Sequence, residues 1–208
     1  FIEHELGAIT NASVVANGVD LDFFSAVKKR LPKSPTVLFV GTFKWLPNIE
    51  AVEEIVKKIW PLILKEIPTA KLKIVGFSPT EKIKAYANVS SIEVLGGIED
   101  IRDAFATAHV LLAPIRSGKG TRYKVLEAMI TGTPVVATTL AAEGLDLKNG
   151  RDVLIADTSI GLAKETVKLL KDTHLQGKLS SAGQKIVREG YSWDTIAKEL
   201  DKVYKEFI

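Results

Sequence analysis

The stretch RSGKGTRYKVLE, residues 116–127, sets Arg116, Lys119, Arg122 and Lys124 close together with no acid among them, and it ends on Glu127. Gly118 and Gly120 let backbone amides approach a ligand without a Cβ in the way. Thr121 stands where an N-cap hydroxyl would open a helix, so free amides and the positive end of the helix dipole would point at the same spot. A helix start with added cations is a phosphate site on physical grounds. It is not a P-loop, which needs Gly, four residues, then Gly-Lys-Ser/Thr; here Gly118-Lys119 is followed by Gly120, and position 113 is Ala. A solvated basic face is the other reading of so many cations. Position weakens it, because an apolar strand precedes the loop and an apolar helix follows.

Glu127 raises a second question. On a helical wheel of about 100° per residue, Val125, Leu126, Met129 and Ile130 fill one apolar arc, while Glu127, Ala128 and Thr131 fall with Lys124 on the other. Two readings fit this spacing. In one, Lys124 and Glu127 are an ordinary exposed i,i+3 pair worth about 0.2–0.5 kcal/mol. In the other, Lys124 meets a phosphate and Glu127, one turn deeper, accepts hydrogen bonds from a ribose diol, since a carboxylate offers only acceptors to two hydroxyl donors.

The elements that must position these residues alternate along the chain. TVLFVG (36–41), KLKIVG (71–76), IEVLG (92–96), HVLLAP (109–114), PVVAT (134–138) and DVLIAD (152–157) read as strands. Residues 47–67 read as a helix on Val52, Ile55, Val56, Ile59 and Ile63, with Pro61 expected to kink or punctuate it near its end. Helices are also predicted over 80–87, 99–107 and the opening motif, and three more follow the last strand. In the final one Trp193, Ile196, Leu200, Val203 and Phe207 repeat at 3,4 spacing, which predicts a buried stripe with Trp193 as a packing anchor. Residues 14–20, VVANGVD, read as a short strand with an Asn-Gly turn.

Near-continuous apolar strands separated by helices mean a mostly parallel sheet covered on both faces, a doubly wound, Rossmann-like α/β domain. Such sheets bind ligands at the carboxyl ends of their strands, so the loops after Val40, Val75, Leu95, Pro114 and Thr138 form the candidate rim. The expected organisation is a connector and first strand over 1–30, the Rossmann-like domain over 31–190, and a helix over 191–208 packing back on it. A first residue of Phe1 in place of Met suggests a piece of something longer.

Bulk properties narrow the classes. The 208 residues are 46% hydrophobic and 25% charged, ordinary for a soluble domain with a full core. A net charge of +3 is too weak to argue for nucleic acid or a membrane surface, and no basic stretch is interleaved with stacking aromatics. The absence of cysteine excludes disulfides and thiolate metal sites and suits a reducing cytoplasm. His4, His109 and His174 stand far apart with no ligand spacing around them, so no metal site and no cofactor is expected, and His109 reads as structural. Glu99, Asp100 and Asp103 read as acids favourable to a helix start. Glu143-Gly144 fits either a turn or a residue pair reaching the ligand rim.

With these residues in view, the chain resembles the C-terminal half of a GT-B glycosyltransferase of family 4, in the group 1 glycosyl transferases. The resemblance rests on VVANGVDLDFF (14–24), LFVGTFKWLPNIEAV (38–52), LLAPIRSGKGTRYKVLEAMITGTPVVATTLAAEGL (111–145), NGRDVLIAD (149–157) and YSWDTIAKELDKVY (191–204). It implies that Lys124 and Glu127 are the central pair of the reaction site, with Glu127 on the nucleotide ribose. It places Lys124, Arg116, Lys119 and Thr121 toward the donor diphosphate, with Gly41, Gly118 and Gly120 giving close backbone approach. Val125 and Leu126 would line the ribose and phosphate pocket, and Gly97 and Ile98 would lie against the base. The implied reaction is a retaining, metal-independent transfer of a sugar from a UDP-, GDP- or ADP-sugar to a hydroxyl acceptor. The acceptor would belong to an N-terminal domain absent from this chain, so the fragment alone is expected to be inactive. Any membrane association would belong to that missing half.

Departures from the family's pattern accompany the matches. Many members carry an acid where this chain has Lys119, an arginine where it has Thr42, and a lysine near Asn48; Lys44 or the 116–124 cluster is the compensation available. Two other readings keep the fold: half of a GT-B sugar-nucleotide epimerase or phosphorylase, and a non-catalytic nucleotide-binding or interaction module with a decayed site. A receiver-like domain is excluded, because the strand ends are glycine-rich and basic where it needs clustered acids.

Overall fold

Each apolar run predicted as a strand pairs with its neighbours in one all-parallel sheet. The computed structural model describes residues 13–206 apart from 119 and 121. The strands are β1 (Thr36–Val40), β2 (Lys71–Val75), β3 (Ile92–Leu95), β4 (Val110–Ala113), β5 (Val135–Ala137) and β6 (Leu154–Ile155), in spatial order β3-β2-β1-β4-β5-β6. Successive side chains of a strand point to opposite faces. Every residue of β4 and β5 is buried, so both faces of the sheet centre are covered, as the continuous apolar runs require.

The order contains one reversal. From β1 the chain steps outward to β2 and β3, then returns to lay β4 against the other side of β1, in register Val37 to Val110 and Leu38 to Leu111. The connections leaving β1 and β4 therefore depart in opposite directions. They open a crevice between the loop after Val40 and the loop after Ala113, the topological switch point where such sheets take ligands. Two helices flank it: α2 (Leu46–Glu54) after β1 and, later, α6 (Tyr123–Ile130) after β4.

The helix of 47–67 departs from a plain α-helix. It is α2, a π-helical segment over Ile55–Ile59, and α3 (Trp60–Glu66). Pro61 lacks an N–H, and its ring crowds the carbonyl four residues back. The ladder before it slips by one residue, so the Trp60 N–H reaches Ile55 O. Ile55, Ile59 and Trp60 are buried by this wider turn, and the Trp60 indole donates to Ser91 Oγ at 3.0 Å. The remaining helices are α1 (Leu21–Ser25), α4 (Glu81–Ala85), α5 (Arg102–Ala106), α7 (Thr139–Ala142), α8 (Ser159–Lys171), α9 (Thr173–Gly190) and α10 (Trp193–Glu206).

Two expectations about the ends need correction. Residues 14–20 do not form a strand: Val19 makes a single bridge to Ser192 and is followed by α1, which Asp20 caps by accepting from the Phe23 N–H. The segment after α1 is instead pinned by a lysine. Lys29 Nζ donates to Phe105 O at 2.6 Å, Ala108 O at 2.7 Å and Thr133 Oγ1 at 2.8 Å, beneath the sheet where β4 and β5 begin. Burial lowers its pKa from 10.5 to about 8. His109 beside it accepts the Thr36 N–H on Nδ1, which bears out its structural reading.

The stripe on α10 is the second correction. Of its described members only Ile196 is buried; Trp193 is 50% and Leu200 42% exposed. Trp193 packs on Gly18, where a Cβ would come within 2.9 Å of its ring, and from there the stripe runs past the surface that the described residues supply. The repeat fixed the helix, while what covers a stripe depends on tertiary placement that periodicity does not encode.

Candidate functional site

The helix α6 begins at Tyr123, with Arg122 in the capping position making no side-chain hydrogen bond to the first amides. The expected cap, Thr121, and the expected phosphate contact, Lys119, lie outside the described residues. Gly118 and Gly120 have φ of 86° and 116°, so the loop bends through backbone conformations that glycine alone adopts readily. This helix start opens at the switch-point crevice, the arrangement anticipated for an anion.

Lys124 and Glu127 do not form the exposed pair that one reading of the wheel allowed. Both are half-buried, and Ala128 and Thr131, on the same arc, are fully buried. Of this arc, Glu127 opens into a cavity at the strand ends, while the Thr131 hydroxyl donates to Ala128 O inside the fold. Among the described residues no ion pair joins Lys124 to Glu127. The ammonium turns instead to Asn48 of α2, donating to Oδ1 at 2.7 Å, and lies 4.5 Å from the centroid of the Phe39 ring on β1. Burial, followed by repulsion from Arg122, lowers the Lys124 pKa from 10.5 to about 7, against the pull of Glu127. Burial raises the Glu127 pKa from 4.5 to about 7, against the pull of Lys124. Two groups held near their neutral points are poised to be charged by a ligand that supplies the missing solvation.

The other cations of the motif have different duties. Arg116 does not turn a free fork to the crevice. Its Nε and Nη2 meet the two carboxylate oxygens of Glu54 at 3.0 and 2.8 Å, and Nη1 donates to Asp157 O at 2.6 Å. Ser159 Oγ donates to the same Glu54, so Arg116 fastens the loop to the end of α2 and the start of α8. Arg122 donates to Gly118 O at 2.8 Å and Leu140 O at 3.3 Å, folding the loop on itself. A wheel or a motif counts charges; which charges remain available depends on acids and carbonyls supplied by distant elements.

A cavity of 190 Å³ opens at the carboxyl ends of β1, β2 and β3, and it gathers Gly41, Gly97, Ile98 and Glu127. The glycine-bearing loop after β1, the Gly97–Ile98 pair and the Glu127 carboxyl are thus walls of one space. Val125 and Leu126 are not among its lining residues; both are fully buried in the core beneath α6 and support the helix from behind. Glu143 and Gly144 rim a separate, mainly apolar hollow of 490 Å³ with Leu140, Leu145, Leu147 and Ile155. Lys44 is exposed in the turn before α2.

Asn48 is the residue that sequence reading missed. Its Nδ2 donates to Thr42 O at 2.8 Å, its Oδ1 holds Lys124, and a Cβ on Gly41 would come within 2.7 Å of its Cγ. One amide therefore fixes the loop after β1 and aims the lysine across the crevice. Asp100 behaves as anticipated, accepting the Arg102 N–H at 2.9 Å at the start of α5.

Comparison with known proteins agrees with this geometry. The sequence profile of the family described as Glycosyl transferases group 1 matches residues 34–172. A phosphatidyl-myo-inositol mannosyltransferase of Mycobacterium leprae is 30% identical over 207 residues, covering 94% of this chain and 54% of that protein. The chain thus spans about half the length of the curated relatives it matches, 54% in this instance. Among solved structures, sucrose-phosphate synthase from Thermosynechococcus elongatus superposes with a TM-score of 0.79 at 20% identity, over 99% of this chain and 55% of that one. Anabaena HepE, solved in complex with UDP and glucose, superposes with a TM-score of 0.71 at 17% identity, over 93% and 56%.

Proposed function

The chain belongs to the group 1 glycosyl transferases, as the C-terminal domain of a GT-B fold, and from that premise we propose that it binds the nucleotide diphosphate sugar. The observation that carries this reading is the Lys124–Glu127 pair, drawn below the surface at the switch point beside the start of α6. The ribose diol donates to the Glu127 carboxylate. The diphosphate lies across the first amides of α6, with Lys124 as its counter-charge and Asn48 aiming that charge.

When the sugar–phosphate bond breaks, negative charge grows on the leaving diphosphate. The Lys124 ammonium and the α6 amides stabilise it from fixed positions in a partly dehydrated crevice, where they act more strongly than in water. In this reading those groups take the role that a metal ion fills elsewhere. Arg116 acts at one remove, by holding the loop to Glu54. UDP bound to HepE supports a nucleotide ligand, and the mannosyltransferase relative supports a hexosyl donor. The complete reaction, transfer to a hydroxyl with retained configuration, takes an acceptor-binding domain in addition to this one.

Calorimetric titration of the chain with UDP, GDP and ADP in a chelator-containing buffer tests this reading. One of the three is expected to bind, and Lys124→Ala and Glu127→Ala each to weaken it by about tenfold or more, the loss of one charged hydrogen bond worth roughly 1.5–3 kcal/mol. Binding that ignores both substitutions, or requires added metal, sinks the assignment.

A further inference from the structure

We propose that Phe77 is the stacking wall for the nucleotide base, a role that rests on the donor-site reading above and extends it. Phe77 follows β2 on the rim and is 63% exposed, a large apolar ring left open to solvent. It lines the same 190 Å³ cavity as Glu127, Gly97 and Ile98, and among the lining residues it is the one aromatic side chain. With the ribose held at Glu127, its base extends into the rest of that cavity. The walls there are Val40, Val75, Phe77, Ile98 and Ile101 around a glycine backbone. Such a space offers apolar faces and peptide edges, which is what a flat heterocycle needs.

Two further observations show that the ring's place is built. Ser78 has φ of 55°, the one non-glycine residue in the left-handed region among those described. A side chain there costs about 1–2 kcal/mol and persists where the surroundings impose it, most often at binding sites. The strained turn is anchored next to the ring, where Phe77 O accepts the Phe43 N–H at 2.9 Å. On the opposite side, a Cβ on Gly97 would lie 2.3 Å from the Phe77 ring. The ring is seated flush on the Gly97 backbone, and any side chain at position 97 would displace it. The exposed rings of Trp45 before α2 and Tyr123 at the start of α6 lie outside the cavity lining, and Trp193 is packed on Gly18.

Stacking on an aromatic face tolerates every base, since each has a π-face. Phe77 therefore supplies affinity, while the peptide edges at Gly97 and Ile98 supply the choice among bases. The test titrates parent, Phe77→Ala, Phe77→Leu and Phe77→Trp with UDP, GDP, ADP and inorganic pyrophosphate. Phe77→Ala is expected to weaken each nucleotide that the parent binds by roughly 5- to 150-fold, the range for loss of one base–aromatic stack, and to leave pyrophosphate unchanged. Phe77→Leu keeps apolar bulk without a π-face and stays weak; Phe77→Trp restores binding. Nucleotide affinity that survives Phe77→Ala yet falls in Glu127→Ala overturns this inference and spares the donor site. Equal loss of pyrophosphate overturns it too, by showing a collapsed loop. No nucleotide binding by the parent removes the donor-site reading, and this one with it.

Discussion

Two half-buried lysines sit at opposite ends of the same sheet, and their surroundings differ in one decisive respect. Lys29, beneath the strand starts, gives its three N–H groups to three oxygens of the fold. Lys124, at the strand ends, donates one hydrogen bond among the described residues, to Asn48. Burial depresses both, Lys29 to about 8 and Lys124 to about 7. An ammonium has three donors to satisfy. A saturated lysine has finished its work when the chain is folded; one with donors to spare among the described residues can give them to a ligand oxygen.

Breaking this comparison at its stronger end gives the largest effect. Lys29→Met leaves the Ala108 carbonyl without its lysine donor and takes one of several partners from the Phe105 carbonyl and the Thr133 hydroxyl, which still bond each other. The orphaned carbonyl costs about 1–3 kcal/mol, and the weakened bonding of the other two groups brings the sum to roughly 2–4 kcal/mol. For a domain of this size the melting temperature falls by about 2–4 °C per kcal/mol. Nucleotide affinity, measured well below the transition, stays at the parent value. A stable Lys29→Met protein would mean that the segment after α1 is not fastened as described.

The second substitution should invert that pattern. Lys124→Met exchanges a desolvated ammonium for an apolar chain of similar length, relieving the burial penalty, so the melting temperature holds or rises. Affinity for the preferred nucleotide falls by about 1.5–3 kcal/mol, the worth of a charge-assisted bond to phosphate. Calorimetry of ligand binding and of unfolding on the same two variants separates the roles. If both lose stability and neither loses ligand, the saturation argument fails.

The same contrast explains what was legible beforehand. The strands, the rim at their carboxyl ends and the Lys124–Glu127 spacing were readable because their information is local: apolar runs of five or so residues, a helical i,i+3 spacing, glycines before a helix; the switch point was not, because it depends on strand order. Lys29 was not, because its acceptors lie 76, 79 and 104 residues away. The pairing of Arg116 was hidden for the same reason, its partner Glu54 at the end of α2 being 62 residues distant. Asn48 lies 76 residues from Lys124 and carries no charge to mark it. In the sequence these are single polar residues; only packing decides which of them meet.

The smallest expected effect sharpens the contrast with Lys29 by titration. The binding-competent state of the site is carboxylate at Glu127 with ammonium at Lys124. Glu127 is raised to about 7, so acidification through that midpoint protonates the diol acceptor; Lys124 is lowered to about 7, so alkalisation through that midpoint removes the cation. Affinity for a nucleotide diphosphate sugar therefore peaks near neutrality and falls by about tenfold, or 1.4 kcal/mol, per pH unit on either side. A nucleotide sugar is the proper probe, because its phosphates are esterified at both ends, whereas a terminal phosphate titrates near a pKa of about 6 and would mimic the acid limb. Glu127→Gln should flatten the acid limb and keep the alkaline one, and Lys29→Met should leave both limbs in place. A profile of the parent that is flat from about pH 5.5 to 8.5 would place the ligand's charge on groups other than this pair.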